Sequence, residues 1–441
     1  MHMRIQDRRR FLIATGAAFA GLAASSCARP GAFGSAVSAG TGPFGSLQPD
    51  PNGVLDLPEG FSYRVLSRLG DAMDDGATVP NSADGMGCFD LGDGKLALVR
   101  NHELSPDEDG GGVRGPAYDT VARSLIPLPG GTTTLVLDAS TLEVERQYRS
   151  LAGTIRNCAG GITPWGSWLS CEENTDRADG RINRDHGYVF EVPADAPGLV
   201  DPVPLTAMGR FNHEAACVDP ATGIVYMTED RDDSLLYRFL PHHPGQLARG
   251  GTLQALIVDG VRDTSNRRGE ALRVGEPVGG RWITLDNVEA PEDDLRHRGA
   301  AMGAATFSRG EGIWMGEGEM YFTATSGGAA GEGQIFRLRP GDQQSDFLEL
   351  FYESPADAEY SFGDNLCVSP FGDLIVCEDQ SGRTVDNYLR GITPQGEAYA
   401  FAHLRLQTET AGACFSPDGR TMFLNIYEPT MTLAITGPWP T

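Results

Sequence analysis

The chain has 441 residues and carries 60 acidic against 35 basic side chains, a formal net charge of −25 at neutral pH. No basic stripe interrupts this acidity, which argues against nucleic acid as a partner, because a phosphate backbone needs a positive footprint. The hydrophobic fraction of 40 % is enough to bury a core at this length. The 57 glycines and 28 prolines are scattered between short apolar runs, which favours strands and turns over long helices.

The N-terminus predicts export. Arg8-Arg9-Arg10 is followed by Phe11-Leu12 and an apolar stretch over 13–24 that is too short for a transmembrane helix. Paired arginines before a hydrophobic pair are typical of a twin-arginine signal, here residues 1–28, which hands a folded protein to the twin-arginine export machinery. We therefore expect a periplasmic or extracellular protein. The alternative is a basic soluble start with a helix behind it.

Two further features follow the signal. Ala24-Ser25-Ser26-Cys27 approaches a lipoprotein box in which Ala24 replaces the expected Leu, so a lipid anchor at Cys27, and a membrane-tethered protein, stay open. Residues 29–50 are rich in Gly, Ser and Ala and predict a flexible tether. Residues 51–441 are expected to form a single domain, and nothing in them demands more than a monomer.

The cysteines do not indicate a disulfide scaffold. Seven lie beyond the signal, an odd number at wide spacing and with no CxxC pair. A structural zinc site is therefore not predicted. Most of these cysteines are expected to be small core residues, with at least one available for a metal.

A short hairpin pattern recurs along the chain and predicts the fold. The segments 166–172, 372–378 and 223–229 share one spacing: a glycine turn, about five β-branched or aromatic residues, then an acid. Looser copies begin at Gly94, Gly318 and Gly419. Six copies at this wide spacing leave room for about four strands each, which predicts an all-β, six-bladed β-propeller with loop insertions. A seven-bladed propeller with one degenerate blade, or a pair of β-sandwiches, are the alternatives.

The longest gap between copies contains a polar segment. Residues from about 240 to 300 include many charged side chains and few apolar runs. We expect this segment to be an insertion that forms a cap over one face of the propeller.

The predicted hairpins place acids at one end. Their second strands end in Glu172-Glu173, Glu229-Asp230 and Glu378-Asp379, with Glu103 after the looser first copy. Their first strands begin with polar residues as well: Asn157, His213-Glu214, Arg309-Gly310-Glu311 and Asp364-Asn365. The start of one hairpin strand and the end of the next lie together. Radial symmetry would therefore gather these side chains at one mouth of the channel, where bound cations relieve their repulsion.

Two interpretations of these acids remain open. Carboxylates at strand ends can instead accept hydrogen bonds from loop amides or pair with arginine. If they bind metal, Asp, Glu and Asn oxygens suit Ca²⁺ and a thiolate among them suits iron. Cys171, next to Glu172, is the candidate thiolate, with Cys377 in the equivalent place and a buried small side chain as the alternative for both. Histidines are sparse here, which disfavours a zinc or copper site.

No nucleophile motif accompanies these acids. The chain contains no GxSxG, no HExxH and no Walker-type loop. A serine-hydrolase, zincin or P-loop mechanism is therefore not predicted.

Five segments together resemble the PhoX-type alkaline phosphatase family, of which this chain would be a short-form member. They are NCAGGITPWGSWLSCEEN (157–174), GRFNHEAACVDPATGIVYMTEDRDDSLLYRF (209–239), FSRGEGIWMGEGEMYFTATSGG (307–328), GDNLCVSPFGDLIVCEDQSG (363–382) and CFSPDGRTMFLNIYEPTMTLAITGPW (414–439). The resemblance implies a six-bladed propeller that hydrolyses phosphate monoesters at a cluster of iron (Fe³⁺) and calcium ions.

The resemblance also implies roles for single residues. Cys171 would be the thiolate on iron, with Glu214 and Glu311 completing or bridging its ligation. Arg309 would grip the substrate phosphate, because a guanidinium forks onto two phosphate oxygens. Asn157, Glu172, Glu378 and Asp379 would be ligands or near neighbours of the calcium ions. Glu229 completes the predicted metal set through its place at a strand end.

Two other functions are compatible with the sequence. A calcium-dependent lactonase or esterase would need neither Cys171 nor Arg309. A non-catalytic binding propeller would use the acids only to hold structural calcium.

Overall fold

The computed structural model describes residues 42–341, 345–356, 360–380 and 382–440, and their regular secondary structure is almost entirely β-strand. The predicted signal peptide, Cys27 and most of the tether lie outside the described residues. The α-helix of the described part is Leu295–Met302 (α1), and two 3₁₀ turns span Thr206–Met208 and Leu247–Arg249. No helix in the described ranges combines the length and apolarity needed to cross a membrane.

The strands form antiparallel sheets that follow the chain order. The first sheet is β4 (Ala83–Gly92), β5 (Lys95–His102), β6 (Gly130–Asp138) and β7 (Val144–Thr154), and the second is β8 (Asn157–Ile162), β9 (Ser167–Glu172) and β10 (Val189–Pro193). The next is β11 (His213–Val218), β12 (Val225–Glu229), β14 (Tyr237–Pro241) and β15 (Gly251–Val258). It continues through β16 (Pro277–Thr284) into β21 (Asp346–Glu353), β20 (Gln334–Arg339), β19 (Met320–Ala324) and β18 (Gly310–Met315).

Two more sheets complete the domain. One is β22 (Gly363–Val368), β23 (Leu374–Glu378), β24 (Tyr388–Ile392) and β25 (Ala398–Leu404), extended by β2 (Leu55–Pro58) and β1 (Leu47–Gln48). The other is β26 (Thr410–Phe415), β27 (Thr421–Ile426), β28 (Met431–Thr436) and β3 (Ser62–Arg68). A two-stranded pair joins β13 (Ser234–Leu235) to β17 (Thr306–Phe307).

The first strands of these hairpin units contact one another in a closed ring. The order of contact is β4, β8, β11, β18, β22, β26 and back to β4. The ring is closed by the chain ends, because β3 near the N-terminus pairs with β28 near the C-terminus. The result is an all-β fold with a β-propeller-like arrangement, as the repeat predicted, and each predicted second-strand copy is a strand paired with a ring strand.

Small residues let the ring strands approach closely around the axis. A Cβ on Gly161 would lie 1.8 Å from the carbonyl oxygen of Ala216, and one on Gly85 would lie 2.6 Å from Cα of Ala159. The space inside the ring is lined mainly by glycine and alanine at this level. Apolar clusters fill the gaps between neighbouring sheets farther from the axis.

The segment predicted as a cap contributes to the sheets. Within residues 240–300, β15 and β16 pair with each other, and β16 also pairs with β21. The connection after β16 carries α1, whose Leu295 is buried in the cluster beside β12 and β14. Much of this segment therefore joins the two four-stranded halves of the nine-stranded sheet, β11 to β15 and β18 to β21.

Candidate metal centre

Every ring strand carries a β-bulge at the same register. In β4, Ala83 pairs with His102 and Met86 with Arg100, so two residues face the single Asn101. The same irregularity occurs in the other ring strands, between residues 157 and 160, 213 and 216, 310 and 313, 363 and 366, and 411 and 414. A bulge re-aims the extra side chain, and here it does so once per ring strand.

The first bulge residue is a potential metal ligand in five of the six ring strands. These residues are Asp84, Cys158, Glu214, Glu311 and Asp364, and the sixth position is Gly412. The bulges bring them together: the Cys158 thiol lies 3.2 Å from Oε1 of Glu214 and 3.6 Å from Oδ2 of Asp84. A ligand atom each from Glu214, Glu311 and Asp364 also lies within 4.8 Å of the others.

Two acids from the second strands join this group. Glu103 lies within 4.8 Å of ligand atoms of Asp84 and Cys158, and Glu173 within the same distance of Cys158 and Glu214. Each follows the end of a second strand, where its amide donates to the carbonyl of the residue before a ring strand: Glu103 to Ser82 and Glu173 to Arg156. We call the combined set the axial cluster: Asp84, Glu103, Cys158, Glu173, Glu214, Glu311 and Asp364.

The axial cluster is buried and electrostatically strained without cations. Burial, with the neighbouring carboxylates Glu173 and Asp379, raises the pKa of Asp84 to about 7. Burial and the charge of Glu311 likewise raise the pKa of Glu214 well above its usual range. Burial and the nearby Asp84 raise the pKa of the Cys158 thiol. All three shifts have the same causes, burial and the repulsion between neighbouring negative charges that nearby cations do not fully balance.

The donor set fits metal ions. Among the described residues, Oδ1 of Asp84 and Oε2 of Glu214 are buried oxygens without a hydrogen-bond partner, a state that costs free energy unless something else satisfies them. Carboxylate oxygens are the preferred ligands of calcium, and a thiolate among them suits iron. The axial cluster therefore has both the chemistry and the unsatisfied atoms of a metal centre.

Two arginines border the axial cluster. Arg309 donates from Nε and Nη2 to Asp230 at 2.8 and 3.0 Å, and from Nη2 to Glu311 at 2.7 Å. Arg156 lies with Nη2 2.5 Å from Glu103 and forms a shorter ion pair with Glu173. Burial alone would lower the pKa of both guanidinium groups, but their carboxylate partners raise it. Both arginines therefore stay charged.

Three of the predicted ligands instead satisfy loops outside the axial cluster. Glu172 accepts hydrogen bonds from the amides of Ile155, Gly187 and Tyr188 and contacts Nδ1 of His186 at 2.6 Å. Glu378 accepts from the amides of residues 361 and 388 and from Nε of residue 390, and Glu229 accepts from the hydroxyl of residue 237. Successive residues of a strand point to opposite faces, so these acids point away while the residues after them point inward.

The predicted thiolate also lies elsewhere. Cys171 is fully buried in an apolar cluster with Leu169, Val189 and Phe211, and burial alone raises its pKa. Cys377 lies in the apolar cluster beside Ile375 and Leu389. The thiol that lies among the carboxylates is that of Cys158, thirteen residues before Cys171.

The other predicted site residues divide in the same way. Glu214 and Glu311 belong to the axial cluster, and Arg309 contacts it. Asn157 is buried beside the bulge, where it accepts from the Thr154 hydroxyl at 2.6 Å and donates to the Ser170 hydroxyl at 2.9 Å. Asp379 lies near enough to raise the pKa values of Asp84 and Asp364, after burial as the first cause.

The predicted metal set omits Asp84, Cys158 and Asp364, which lie in the axial cluster, and it contains Glu172 in place of Glu173. Glu103, Glu173 and Asp364 were recognised as acids at strand ends, but the face they occupy depends on bulges that have no residue signature. The usable signal is an alignment of the first strands: five of the six have an Asp, Glu or Cys one position after their first residue, followed mostly by Gly or Ala.

A comparison with solved structures supports the β-propeller-like fold. A structure of Pseudomonas fluorescens PhoX in complex with vanadate, a transition state analogue, is similar over 87 % of this chain and 96 % of that chain, with a TM-score of 0.68 and 19 % identity. A Xanthomonas campestris gluconolactonase (TM-score 0.39, 14 % identity, 90 % and 98 % of the two chains) and a luciferin-regenerating enzyme (0.43, 9 %, 86 % and 96 %) are more distant. No curated protein matches the sequence.

The family comparison is more direct. The model of the alkaline phosphatase PhoX family matches residues 42–141 and 129–430. These matches span most of the chain and include every ring strand and every residue of the axial cluster. This chain belongs to the alkaline phosphatase PhoX family.

Proposed function

We propose that this protein is a metal-dependent phosphatase that hydrolyses phosphate monoesters at an iron–calcium cluster inside the strand ring. The observation that carries the proposal is the convergence of Cys158 with six carboxylates, four of which occupy the same bulge position as Cys158 on their own ring strands. Family membership supplies the reaction class. We propose Cys158 in place of Cys171 as the thiolate, because the thiol of Cys158 lies among the carboxylates. Glu214 and Glu311 remain proposed ligands.

The proposed division of ligands follows their chemistry. Cys158, Glu214 and Glu173 form one group whose atoms lie within 4.8 Å of one another, and we assign iron to it because it contains the thiol. The all-carboxylate group of Glu214, Glu311 and Asp364 suits calcium. Asp379 is retained as a neighbouring calcium ligand, since its charge acts on Asp84 and Asp364.

The protein's own residues position the substrate. When bound, the cations supply charge that polarises the phosphoryl group and activates an oxygen nucleophile, so no serine is needed. Arg309 is held by Asp230 and Glu311 with its side chain 34 % exposed, so the guanidinium is fixed in place and still accessible to a phosphate. A fixed guanidinium stabilises developing charge without reorganisation.

We further propose that the fold is a six-bladed propeller exported by the twin-arginine route. The closed contact order of six ring strands supports the blade number. A protein that binds its metal ions before export needs a route that transports folded proteins, and the twin-arginine route is of this kind. Fractionation of cells that carry a double Lys variant of Arg8 and Arg9 would test export: retention in the cytoplasm supports it, unchanged secretion contradicts it. A lipid anchor at Cys27 would show as detergent-dependent release.

Metal analysis with an assay tests the function. Purified protein should contain iron and calcium and hydrolyse a chromogenic phosphate monoester, and chelation should abolish the hydrolysis. A folded, metal-replete sample that lacks turnover would reject the phosphatase. Retention of lactone hydrolysis in Cys158→Ser and Arg309→Gln would favour a lactonase, and chelation that lowers only thermal stability would favour a binding protein.

A further inference from the structure

The residue just before each ring strand occupies an equivalent place at the axial cluster. In chain order these residues are Ser82, Arg156, Asn212, Arg309, Phe362 and Glu409. In every case the carbonyl of that residue accepts a hydrogen bond from the residue that follows a second strand. The side chains at the first five places, each two residues before the bulge residue of its strand, can therefore be compared as members of one ring, whereas Glu409 lies three residues before Gly412.

Three consecutive members make the same contact. Arg156 pairs with Glu103, Asn212 donates to Glu173 at 2.8 Å, and Arg309 pairs with Asp230. In each pair the acid follows the second strand of the preceding hairpin unit, so Arg156 and Arg309 occupy the same position two units apart. No feature of the sequence distinguishes Arg156 as a candidate, whereas the family resemblance predicts that Arg309 grips phosphate.

The two arginines are also alike in side-chain exposure and in having an Nη1 donor that is not used. Their side chains are 37 % and 34 % exposed. Among the described residues, Arg156 contacts its partners through Nε and Nη2, as Arg309 does, and Nη1 of each has no partner. A charged, fixed and partly exposed guanidinium with a free donor is a phosphate-binding group.

The acids that pair with the two arginines both lie next to Glu214. Arg156 pairs with Glu173 and Arg309 with Glu311, and each of these acids lies within 4.8 Å of Glu214. On this geometry, and resting on the proposed function, we propose that Arg156 is a second substrate-binding arginine. The two guanidinium groups bind different non-bridging oxygens of one phosphate, so the preferred substrate is a monoester dianion rather than a diester.

The specificity follows from charge and oxygen count. A monoester offers three terminal oxygens that the two arginines and the metal cluster can share, whereas a diester offers two and one unit of negative charge. Arg309 alone does not distinguish these classes strongly. Arg156 adds a contact that the diester cannot satisfy at the same time, and an unpaired polar group in a site is a source of discrimination.

The test compares Arg156→Gln with Arg298→Gln. Arg298 is a matched control because it also bridges two carboxylates, Asp286 and Asp294, and is 29 % exposed, but it lies on α1 outside the axial cluster. Inorganic phosphate is titrated calorimetrically into each metal-loaded protein, with iron and calcium measured in the same samples. We expect Arg156→Gln to weaken phosphate binding by about tenfold or more with unchanged metal content, and Arg298→Gln to match the wild type.

The outcomes separate this inference from the proposed function. Phosphate affinity of Arg156→Gln within about twofold of the control, or a loss of affinity that tracks a loss of metal, overturns the inference. If the wild type binds phosphate through Arg156 but hydrolyses no ester, the inference stands and the phosphatase fails. A wild type that hydrolyses monoesters while Arg156→Gln keeps its phosphate affinity and its monoester-to-diester preference rejects the inference alone.

A second measurement covers a variant that does not fold. In the wild type, a guanidine-specific dicarbonyl reagent should modify Arg156 more slowly when inorganic phosphate is present, as peptide mapping would show. Arg298 provides the internal control and should react at the same rate with and without phosphate. Equal rates at Arg156 under both conditions would contradict its contact with phosphate.

Discussion

Glu172 and Glu173 are neighbours at the end of the same second strand, yet they belong to different parts of the molecule. Glu172 accepts three backbone hydrogen bonds and contacts His186. Glu173 lies within 4.8 Å of Cys158 and Glu214 in the axial cluster. Glu172 is surrounded by donors alone, whereas Glu173 faces other carboxylates of the axial cluster as well as its partners Arg156 and Asn212. A single step along a strand therefore separates a structural carboxylate from a candidate ligand.

The two cysteines of this unit make the same contrast. Cys158 lies on the bulge of β8 among carboxylates, and Cys171 lies on β9 in an apolar cluster. Both are buried, so exposure does not distinguish them. What distinguishes them is the bulge, which re-aims Cys158 while regular alternation leaves Cys171 between the sheets.

The largest expected effect comes from this pair. Cys158→Ser should lose iron and lower phosphatase activity by on the order of 10³-fold, because a metal contribution of several kcal/mol is lost and each 1.4 kcal/mol is tenfold. Cys171→Ala should keep both iron and activity and lower the free energy of unfolding by about 1 kcal/mol. Elemental analysis, the charge-transfer absorption of the protein and the chromogenic assay measure these outcomes. Loss of iron from Cys171→Ala alone would reverse the assignment.

The fold was more predictable than the site, and the reason is physical. The glycine-led segments at 166–172, 223–229 and 372–378 repeat one pattern, because every unit of the fold needs a second strand that pairs with its first. Each of these segments is such a strand in the structure. The face of each acid depends on local register, which one inserted bulge residue reverses. The sequence therefore located the end of the strands where the acids gather but assigned Glu172 and Cys171 to the wrong side of the alternation.

Removing the charge of Glu172 should affect protein stability, whereas removing the charge of its neighbour Glu173 should affect metal binding. Glu172→Gln breaks a buried contact with His186 and should lower the free energy of unfolding by about 3 kcal/mol, with metal stoichiometry unchanged. Glu173→Gln should weaken metal binding by about 10- to 100-fold while changing the stability of the metal-free protein little, since the removed charge repels neighbouring carboxylates but also pairs with Arg156, which keeps Glu103 as a partner. Urea unfolding of metal-free samples and competition with a chelator measure the two quantities. Equal metal loss in both variants would contradict the contrast.

The sixth bulge tests whether the register itself matters. Gly412 has φ of +60°, and a Cβ there would lie 2.5 Å from the carbonyl oxygen of Asp84. Gly412→Ala should therefore lower the free energy of unfolding by about 2 kcal/mol and displace Asp84. Gly318→Ala is the control, because its φ is also positive but a Cβ would contact nothing within 4 Å. Equal destabilisation of the two variants would show that backbone conformation alone, without the close approach, explains the effect.

The smallest expected effect is the pH dependence of stability that arises from the contact between Glu172 and His186. Burial would lower the pKa of His186, but Glu172 and Asp119 outweigh it and raise that pKa to about 9. A raised histidine pKa stabilises the fold fully below pH 6.5, and the contribution disappears as the pH rises through about 9. The difference in urea midpoint between wild type and His186→Gln should therefore be largest near pH 6 and close to zero near pH 9.5. A difference that stays constant across this range would mean that His186 acts through packing and not through its charge beside Glu172.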